Sequence, residues 1–443
     1  MSSERDAPAS GYMGVRPAAT APGKPLKAVV VHGGARDSYQ LALALSEAGL
    51  LDTLVTDLFW PADEGWAKAL LGWLPPGARE NLLRRSAPGL PFAEVRLCLV
   101  DGLRSLILDK LPSVKFETRR RSTRMADTAL GRKAGLCARK TGSGLVSYSY
   151  FAYDAIRAYG RPAMLFQVHP HPETIRRILN AELAAHPDCA SSLQQEWELA
   201  LPEEDFRHLV EEPKLASHFL VASSFTRDSL VEHGARAEDI VVIPYGVDLE
   251  RFHPAPRLAR KDGRLQLLFV GRINQRKGIK YMLEALRMLN SDEVHLTVCG
   301  RVVDDLELFK PFASQVTIRP SVSGEELVQA YQQADLFVFP SVAEGFGQVL
   351  LESLASGLPI LSTTHTAAPD LIEDGVQGFI VEPRRPDLVA ERIAWAIEHR
   401  TELAEMGVQA RACAEQFTWG RFRSRAAEAV SRYLATNPAA KHR

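Results

Sequence analysis

The segment EGFGQVLLE, residues 344–352, places Glu344 and Glu352 at the two ends of a largely apolar run that begins with two glycines. An exposed helix face would not keep three apolar residues unbroken, and a buried strand would not carry carboxylates, so the segment is typical of a site. Gly345 and Gly347 permit unusual backbone angles, and VLLESLAS favours a helix. We therefore expect a loop that carries Glu344 and a helix that begins near Gly347 and carries Glu352.

The spacing of the two glutamates indicates what they bind. Eight residues of helical rise separate them by up to about 12 Å, which is about the span from a sugar to a ribose across a diphosphate. A carboxylate repels phosphate but accepts hydrogen bonds from hydroxyls, so we assign Glu344 to a sugar and Glu352 to a ribose. The helix N-terminus between them offers N–H groups to the diphosphate. The alternative is a capping carboxylate beside a surface glutamate.

A second segment, FVGRINQRKG (269–278), carries two cations at the end of a predicted strand. Gly271 lets the chain turn, and Arg272 and Lys277 flank a short loop before the helical sequence IKYMLEALRML. A guanidinium forks onto phosphate oxygens and an ammonium adds a point charge, so the segment predicts an anion site. A basic solvated loop is the alternative.

Short apolar runs that precede helical periodicity recur along the chain and predict βα units around parallel sheets. The runs are 26–34, 50–57, 163–170 and 218–223 in the first half, and 265–272, 294–301, 316–321, 335–341, 358–363 and 378–383 in the second. They predict two doubly wound sheets. Ligands collect at the carboxyl ends of such strands, where both candidate segments lie.

Length and composition agree with two domains. A chain of 443 residues exceeds one hydrophobic core, and 46% hydrophobic with 24% charged residues is ordinary for a globular protein. We predict a disordered tail at 1–25, an N-terminal domain at 26–243, a linker at 244–264 and a C-terminal domain at 265–416. In the linker, Pro, Gly and charge replace periodicity.

Charge and cysteine usage exclude several classes of protein. The formal charge of −1 gives no overall field for nucleic acid or an anionic membrane. Five scattered cysteines without C-x-x-C fit neither a zinc knuckle nor a disulfide framework, which favours a reducing compartment. The sequence has neither a signal-peptide stretch nor about 20 consecutive apolar residues. We expect a cytoplasmic location, with peripheral contact at the inner face of the membrane as the alternative.

Two stretches of the first half stand out locally. Residues 115–140 are strongly basic, and the segment 64–76 places Trp66, Leu70 and Trp73 at helical spacing. We favour a solvated face for the first and core packing for the second. The alternative is a surface for an anionic acceptor or a membrane.

Three segments, FVGRINQRKG, VFPSVAEGFGQVLLESLASGLPIL and VIPYGVDLERFHP, resemble the retaining glycosyltransferases of family 4, which carry an E-x7-E motif. The resemblance covers residues 215–435 well and the first half only in layout. It implies a GT-B fold, in which two Rossmann-like domains face each other across a cleft and the last helix, 417–435, crosses back to the first domain. It also implies transfer of a hexose from a nucleotide-diphosphate sugar to an acceptor hydroxyl, with retention and without a metal or other cofactor.

The resemblance implies a role for each candidate of the C-terminal half. Two cations would hold the diphosphate and stabilise its growing charge, one glutamate and two backbone N–H groups would bind the donor sugar, and the other glutamate would bind the ribose. The cations are Arg272 and Lys277, which follow the turn at Gly271. Glu344 and the N–H groups of Phe346 and Gly347 would bind the donor sugar, and Glu352 would bind the ribose.

In the first half, Gly33 and Gly34 resemble the family's glycine loop, whose N–H groups approach the donor phosphates, although HGGARDSYQ lacks the proline and glutamate common there. A tight turn is the alternative. FQVHPHPE places His169 at a strand end, where the family often has a histidine near the donor sugar and acceptor, and His171 is a second candidate. A structural loop histidine, or a metal site with Glu173, are the alternatives.

The resemblance breaks at THTAAPDLIEDG (364–375), where the family commonly has Gly-Gly-x-x-Glu. Alanines replace the glycines and Asp370 replaces the glutamate, which puts the family's sugar contacts at this loop in question. The acceptor could be a glycan, a lipid-linked sugar or a small metabolite.

Other functions remain as alternatives. A nicotinamide-dependent oxidoreductase is disfavoured because G-x-G-x-x-G is absent after the first predicted strand. An epimerase of the same fold and a non-catalytic sugar-nucleotide-binding protein remain open.

Overall fold

The computed structural model describes residues 26–99, 116–256, 263–322 and 324–436. The predicted tail lies outside these residues, as does part of the predicted linker, 257–262. Within the described residues the chain forms two parallel sheets of seven and six strands, so the predicted pair of doubly wound sheets is confirmed. The strands are β1 (Ala28–Val31), β2 (Leu51–Thr56), β3 (Val95–Leu97), β4 (Gly144–Tyr148), β5 (Ala163–Gln167), β6 (Ala216–Val221), β7 (Ile240–Val242), β8 (Leu265–Val270), β9 (Val294–Cys299), β10 (Val316–Arg319), β11 (Leu336–Phe339), β12 (Ile360–Thr363) and β13 (Gly378–Val381).

Helices connect these strands. The α-helices are Gln40–Glu47, Gly65–Leu71, Pro76–Leu83, Phe116–Thr141, Ala152–Tyr159, Pro172–Ala185, Ala190–Leu193, Trp197–Ala200, Glu203–Leu215, Ser224–Glu232, Ile279–Leu289, Gly324–Gln333, Gln348–Ala355, Ala368–Leu371, Pro386–Glu398, Arg400–Ala414 and Trp419–Thr436. Short 3₁₀ helices are Arg36–Tyr39, Phe92–Glu94, Pro187–Cys189, Ala237–Asp239, Gln275–Lys277 and Leu306–Phe312. None of the described helices has the length and apolar content to cross a bilayer.

Strand order fixes where ligands can bind. The first sheet runs β3-β2-β1-β4-β5-β6-β7 and the second β10-β9-β8-β11-β12-β13. The order reverses between β1 and β4 in the first sheet and between β8 and β11 in the second. A crevice opens at such a reversal, outside the carboxyl ends of the strands.

Three strands were not predicted. β3 and β7 are three-residue edge strands, too short to give a pattern. β4 is central and fully buried, but its polar residues interrupt the apolar run by which a buried strand is predicted from sequence. Tyr148 donates a 2.7 Å hydrogen bond to Asp37, and Ser147 donates to the Tyr148 carbonyl at 3.2 Å, so these hydroxyls are satisfied in the interior.

The C-terminal helix joins the two halves. Trp419–Thr436 buries Phe422, Val430 and Tyr433 in the core of the first sheet, as predicted. Its Arg423 donates a 2.8 Å hydrogen bond to Glu47 of the helix Gln40–Glu47. The last helix therefore packs on the first domain, although it follows the second in sequence.

The prediction that Trp66, Leu70 and Trp73 pack in the core is wrong. The three side chains are 52%, 50% and 89% exposed. The helix Gly65–Leu71 is short and buries only Ala67 and Leu71, so helical spacing alone did not identify the face that packs.

Candidate functional site

Two cavities lie at the carboxyl ends of the strands, one between the two sheets and one at the first sheet alone. The first, here the Lys277 cavity, has a volume of about 280 Å³ and is lined by the ends of β8 and β11. It brings together predicted residues from both halves of the chain, namely His169, Gly271, Lys277, Glu344, Phe346 and Gly347. The second, here the Arg36 cavity, is also about 280 Å³ and is lined by Gly33, Gly34, Arg36 and, again, His169.

The E-x7-E segment folds as the sequence predicted. Glu344 lies on the loop after β11, and Gly347, with φ 85°, is the N-cap of the helix Gln348–Ala355. The Glu344 carboxylate forms an ion pair with the Lys277 ammonium, and both side chains are largely buried. The loop after β8 and the loop after β11 are therefore joined by opposite charges at the point where the strand order reverses.

Gly345 explains why the first domain can approach this loop. A Cβ atom at this position would lie 2.0 Å from the carbonyl oxygen of Val168 and 3.1 Å from the Cα of His169. The Ser223 hydroxyl donates a 2.6 Å hydrogen bond to the Gly345 carbonyl. Only glycine permits this contact, and the contact holds His169 beside Glu344.

The Lys277 ammonium is buried close to two guanidinium groups, with Glu344 as its ion-pair partner. Lys277 ends the 3₁₀ helix Gln275–Lys277, and Gly278 (φ 75°) follows because a Cβ there would meet the Pro340 carbonyl at 1.9 Å. Burial lowers the pKa of the Lys277 ammonium well below its ordinary value, and repulsion from Arg276 and Arg272 adds to the effect. A bound anion would relieve this repulsion, because each unit of negative charge favours the protonated amine.

Arg272 is held by a carboxylate that the sequence analysis missed. Its guanidinium lies 3.0 Å from Glu196 Oε1, and its side chain is 49% exposed. Glu196 is buried and also pairs with buried Arg276 at 2.7 Å. Although burial opposes ionisation, Arg276 and Arg272 lower the pKa of Glu196. Asn274 Nδ2 donates a further 2.8 Å hydrogen bond to this carboxylate.

No spacing rule could have identified Glu196. It lies in QQEWELALPEED, which reads as an ordinary charged connection, and its partners follow about 80 positions later. Glu198 of the same segment lies 3.5 Å from Arg276. Although burial opposes the charge, Glu198 and Glu196 raise the pKa of Arg276 above its ordinary value. Of the clustered cations, Arg276 is therefore structural.

We expect Glu196→Ala to lower the free energy of unfolding by about 3 kcal/mol, because it leaves the buried Arg276 charge without its closest partner. The control is Glu203→Ala, since Glu203 pairs with Arg176 at 2.9 Å but is mostly exposed. That change should cost less than about 1 kcal/mol. Urea denaturation followed by circular dichroism measures both, and equal losses would show that Glu196 does not stabilise Arg276.

The structure shows that His169, and not His171, faces the cavities. His169 lines both cavities, and its Nδ1 has no hydrogen-bond partner in the described part of the chain. Burial lowers the pKa of its imidazole well below the ordinary value, and Arg276 and Arg36 lower it further. His171 instead accepts a 3.3 Å hydrogen bond from the Glu173 N–H at the start of the helix Pro172–Ala185. His169 is thus the neutral imidazole at the cleft.

The metal alternative involves a different set of residues from the H-x-H pair. His171, Glu173 and His233 bring potential ligand atoms within 4.8 Å of one another. The two imidazoles stack with centroids 3.8 Å apart and planes 16° apart, so their in-plane lone pairs run side by side and do not converge. His233 Nδ1 already lies 3.2 Å from Glu173 Oε2. These contacts favour a structural role for the cluster.

The glycine loop differs from its expected arrangement. The Gly34 N–H, predicted to point toward donor phosphates, donates a 2.9 Å hydrogen bond to Asp57. Asp57 also pairs with Arg85 at 2.8 Å. Gly34 has φ 74°, so a turn that needs glycine is present. The guanidinium of Arg36 lies over the rings of Tyr150 and Phe151, at 5.5 and 5.7 Å from their centroids.

Glu352 and Arg272 do not line either cavity. Glu352 lies on the helix Gln348–Ala355 and accepts a 2.9 Å hydrogen bond from the Tyr331 hydroxyl. Burial raises the pKa of Glu352 above its ordinary value, although the bond from Tyr331 opposes this. Arg272 follows Gly271 at the rim of the Lys277 cavity.

Asp370, which replaces the family's glutamate, contacts the first domain. Its carboxylate accepts hydrogen bonds from the Ser224 N–H at 2.8 Å and from the Ser224 hydroxyl at 3.0 Å. These bonds lie at the start of the helix Ser224–Glu232. The side chain therefore fixes one domain to the other in this structure.

Comparisons with known proteins agree with this architecture. Residues 254–412 match the family described as Glycosyl transferases group 1. The chain is 35% identical over 215 residues to the D-inositol 3-phosphate glycosyltransferase of Geodermatophilus obscurus. The aligned segment covers 43% of this chain and 47% of that protein. The same enzyme of Nocardiopsis dassonvillei is 31% identical over 292 residues, or 60% of this chain and 64% of that protein. The chain thus spans about half to two thirds of the length of these relatives.

Solved structures extend the likeness to both domains. HepE of Anabaena in complex with UDP-glucose superimposes with a TM-score of 0.59 at 18% identity, over 92% of this chain and all of that one. Sucrose-phosphate synthase of Thermosynechococcus elongatus gives a TM-score of 0.60 at 15% identity, over 93% of this chain and all of that one. The predicted GT-B fold is confirmed.

Proposed function

We propose that this chain is a glycosyltransferase that moves a hexose from a nucleotide-diphosphate sugar to an acceptor hydroxyl, with retention of configuration, as in family 4. The observation that carries the proposal is the Lys277–Glu344 ion pair beside the Gly347-capped helix, in a cavity that shares His169 with a second cavity. One cavity suits a donor and the other an acceptor, and a single imidazole lies between them. The group 1 family match supports this assignment.

The donor diphosphate would replace Glu344 as the partner of Lys277. This exchange puts the charge of the diphosphate beside the ammonium in place of the carboxylate, and it frees the Glu344 carboxylate to accept hydrogen bonds from the donor sugar. Half-exposed Arg272 would bind the diphosphate from the rim, and Glu352 would accept from the ribose hydroxyls. HepE carries UDP-glucose in the structure that superimposes on this chain, so uridine donors are the first to test.

In the reaction the bond between the anomeric carbon and the phosphate oxygen breaks, and its electron pair leaves with the nucleoside diphosphate. The acceptor oxygen forms the new bond on the same face, and its proton passes to the departing phosphate. Lys277 and Arg272 stabilise the charge that grows on the leaving group, which lowers the barrier rather than only tightening binding. These two cations neutralise the diphosphate, so we propose that no divalent metal is required.

His169 would orient the reacting groups. Its lowered pKa keeps the imidazole neutral, so the unpaired Nδ1 can accept a hydrogen bond from, or donate one to, a hydroxyl of the sugar or the acceptor. Its position at both cavities is where donor and acceptor must meet.

The charges around the Arg36 cavity support a proposal for the chemistry of the acceptor. None of the carboxylates in the described residues pairs with Arg36, whereas Arg85 is neutralised by Asp57. Burial raises the pKa of Asp127, which also lines this cavity, to about 7, so part of this carboxyl is neutral near pH 7. A hydroxylated acceptor with an acidic group fits: Arg36 would bind the anion and Asp127 a hydroxyl. We therefore place the proposed reaction in glycan, polysaccharide or glycolipid biosynthesis.

Calorimetry with UDP-, GDP- and ADP-glucose in the presence of a chelator tests the donor site. We expect one donor to bind, and Glu352→Gln to weaken it about tenfold, because an amide accepts a weaker hydrogen bond from the ribose than a carboxylate does. Glu325→Gln is the matched control, since Glu325 is an exposed glutamate of the same domain. The Glu325→Gln variant should bind the donor with the same affinity as the wild type.

Turnover distinguishes transfer from the alternatives. Release of nucleoside diphosphate that depends on an added acceptor, with an axial product linkage from an axial donor, supports a retaining transferase. An epimerised donor without transfer would contradict it. Equal donor affinity in the wild type and Glu352→Gln, or binding only after a divalent metal is added, would contradict the proposed site.

A further inference from the structure

Trp197 is an exposed indole inside a cavity. Its side chain is 38% exposed and lines the Arg36 cavity, whereas Glu196 and Glu198, on either side of it in the chain, are buried. A single exposed apolar side chain needs no explanation on a convex surface, but aromatic walls are typical of ligand pockets. The indole is therefore available to a ligand of the Arg36 cavity.

Contacts on both sides hold this indole in place. Glu196 pairs with Arg276 at 2.7 Å. The Glu198 carboxylate lies 3.5 Å from the same guanidinium, and the Glu198 carbonyl accepts a 2.9 Å hydrogen bond from Arg176. Because the chain is fixed before and after Trp197, its backbone does not have to be ordered when a ligand packs on the ring, which lowers the entropic cost of binding.

Tyr150 forms the cavity wall beside Trp197, and the two ring centroids lie 6.3 Å apart. Tyr150 has φ 79°, which is unusual for a residue with a bulky side chain, and its N–H donates a 2.9 Å hydrogen bond to buried Glu212. Its hydroxyl donates to Glu198 at 3.4 Å. A strained residue that buried carboxylates hold at a cavity is typical of a functional site.

The same wall includes a cation and the imidazole of the cleft. The Arg36 guanidinium lies 5.5 Å from the centroid of the Tyr150 ring, and the His169 ring lies 5.9 Å from it in an edge-on arrangement. Trp197, Arg36 and His169 thus each lie within 6.3 Å of the centre of one ring. A ligand in this cavity meets an aromatic surface, a positive charge and a neutral imidazole.

This combination fits an acidic sugar ring better than other hydroxylated acceptors. A pyranose has C–H groups on its faces, which pack on an aromatic ring, and hydroxyls at its edges, which bind polar groups. An open-chain polyol phosphate would bind Arg36 but leave the indole in water. A lipid tail would cover the indole but would also desolvate Arg36 and Asp127, which costs free energy.

We propose that the acceptor presents a pyranose ring that stacks on Trp197, with an acidic substituent at Arg36 and a hydroxyl directed to His169. This acceptor assignment rests on the proposed transferase function. The charge of Arg36 selects for the acidic substituent, and Trp197 selects for the ring. Because His169 lines both cavities, a hydroxyl that reaches it lies next to the proposed donor site.

Ligand binding to the full chain tests this acceptor site. The probes are methyl β-D-glucuronide, which has a ring and a carboxylate, methyl β-D-glucoside, which lacks the charge, and glycerol 3-phosphate, which lacks the ring. Saturation-transfer NMR gives the contact face and titration gives the affinity, each with and without UDP. We expect the axial protons of one ring face to receive the stronger saturation, and the glucuronide to bind about tenfold more tightly than either other probe.

Two substitutions separate the ring contact from the charge contact. Trp197→Leu should weaken the glucuronide and the glucoside alike, by about fivefold, because both lose the stacked face. Arg36→Gln should weaken the glucuronide about tenfold and leave the glucoside within about twofold. Trp197→Tyr keeps an aromatic ring, so it should bind both pyranosides within about threefold of the wild type.

Trp73→Leu is the matched control, because it removes an exposed indole that lines neither cavity. Its affinity for each probe should match that of the wild type. Circular dichroism verifies that every variant is folded. Either of two results would overturn the acceptor site: equal glucuronide affinity in the wild type and folded Trp197→Leu, or glucuronide binding no tighter than that of glycerol 3-phosphate.

Donor calorimetry on the same variants keeps this test apart from the transferase proposal. Trp197→Leu should bind the donor as the wild type does, because Trp197 does not line the Lys277 cavity. If a donor binds but the pyranosides do not depend on Trp197, the transferase stands and its acceptor belongs to another class. If the glucuronide stacks on Trp197 but no nucleotide sugar binds, the sugar site stands and the transferase proposal fails.

Discussion

Lys277→Ala is expected to reduce turnover about 1,000-fold, because it removes the buried cation placed to meet the charge on the leaving diphosphate. Lys277 lies at the carboxyl end of β8, and burial together with Arg276 and Arg272 lowers the pKa of its ammonium. A diphosphate reverses that penalty, so the interaction strengthens as charge accumulates on the leaving group. Nucleoside diphosphate release at saturating donor and acceptor measures the effect.

The control for this variant is Lys310→Ala. Lys310 is an exposed lysine of the same domain, and its ion-pair partner among the described residues is Glu307, so turnover should not change. Lys277→Ala also leaves the Glu344 carboxylate without its partner, and Lys277→Ala/Glu344→Gln removes that charge. If the double variant recovers most of the lost turnover, the loss came from an isolated Glu344 and not from the diphosphate contact.

The parts of the site predicted from sequence were those fixed by local chain geometry. The loop after β8 and the E-x7-E segment each place their residues within one strand–loop–helix unit. The start of the helix at Gly347 was predicted for the same reason. Strand ends, glycines and helix starts are short-range features, and short-range features can be read from spacing.

The contacts missed from sequence join distant positions. Glu196 meets Arg272 and Arg276, and Asp370 meets Ser224 across the two domains. A single sequence gives no sign that such carboxylates will be buried, because burial depends on how the domains pack. The resemblance to the family's glycine loop suggested a phosphate near the Gly34 N–H, and the sequence contained no sign that Asp57 accepts this hydrogen bond.

Glu196 and two further carboxylates of the first domain contact the first helix of the second domain or the loop before it. The first domain offers carboxylates, and the start of the second domain's first helix and its preceding loop offers donors. Glu182 accepts from Gln275 Nε2 at 2.8 Å and from the Tyr281 hydroxyl at 3.0 Å, while Lys280 donates to Asp188 at 2.6 Å. The segment that carries Lys277 is thus fixed on one side by the first domain.

Gly345→Ala is expected to reduce turnover about 100-fold at saturating donor while donor affinity changes less than about threefold. A Cβ at this position would lie 2.0 Å from the Val168 carbonyl, so the two loops must separate. His169 then moves away from Glu344, and a displacement of about 1 Å between reacting groups costs about this much in rate. The donor contacts of Lys277 all lie in the second domain and persist.

Gly77→Ala is the matched control for this prediction. Gly77 lies in the helix Pro76–Leu83, and a Cβ there meets nothing within 4 Å, so turnover should equal that of the wild type. Donor affinity from calorimetry and turnover from nucleotide release are measured on the same preparations. Unchanged turnover in Gly345→Ala would show that the contact with Val168 does not form during the reaction. A parallel loss of donor affinity would instead place the contribution of Gly345 in the donor site, because separation of the domains alone leaves that site intact.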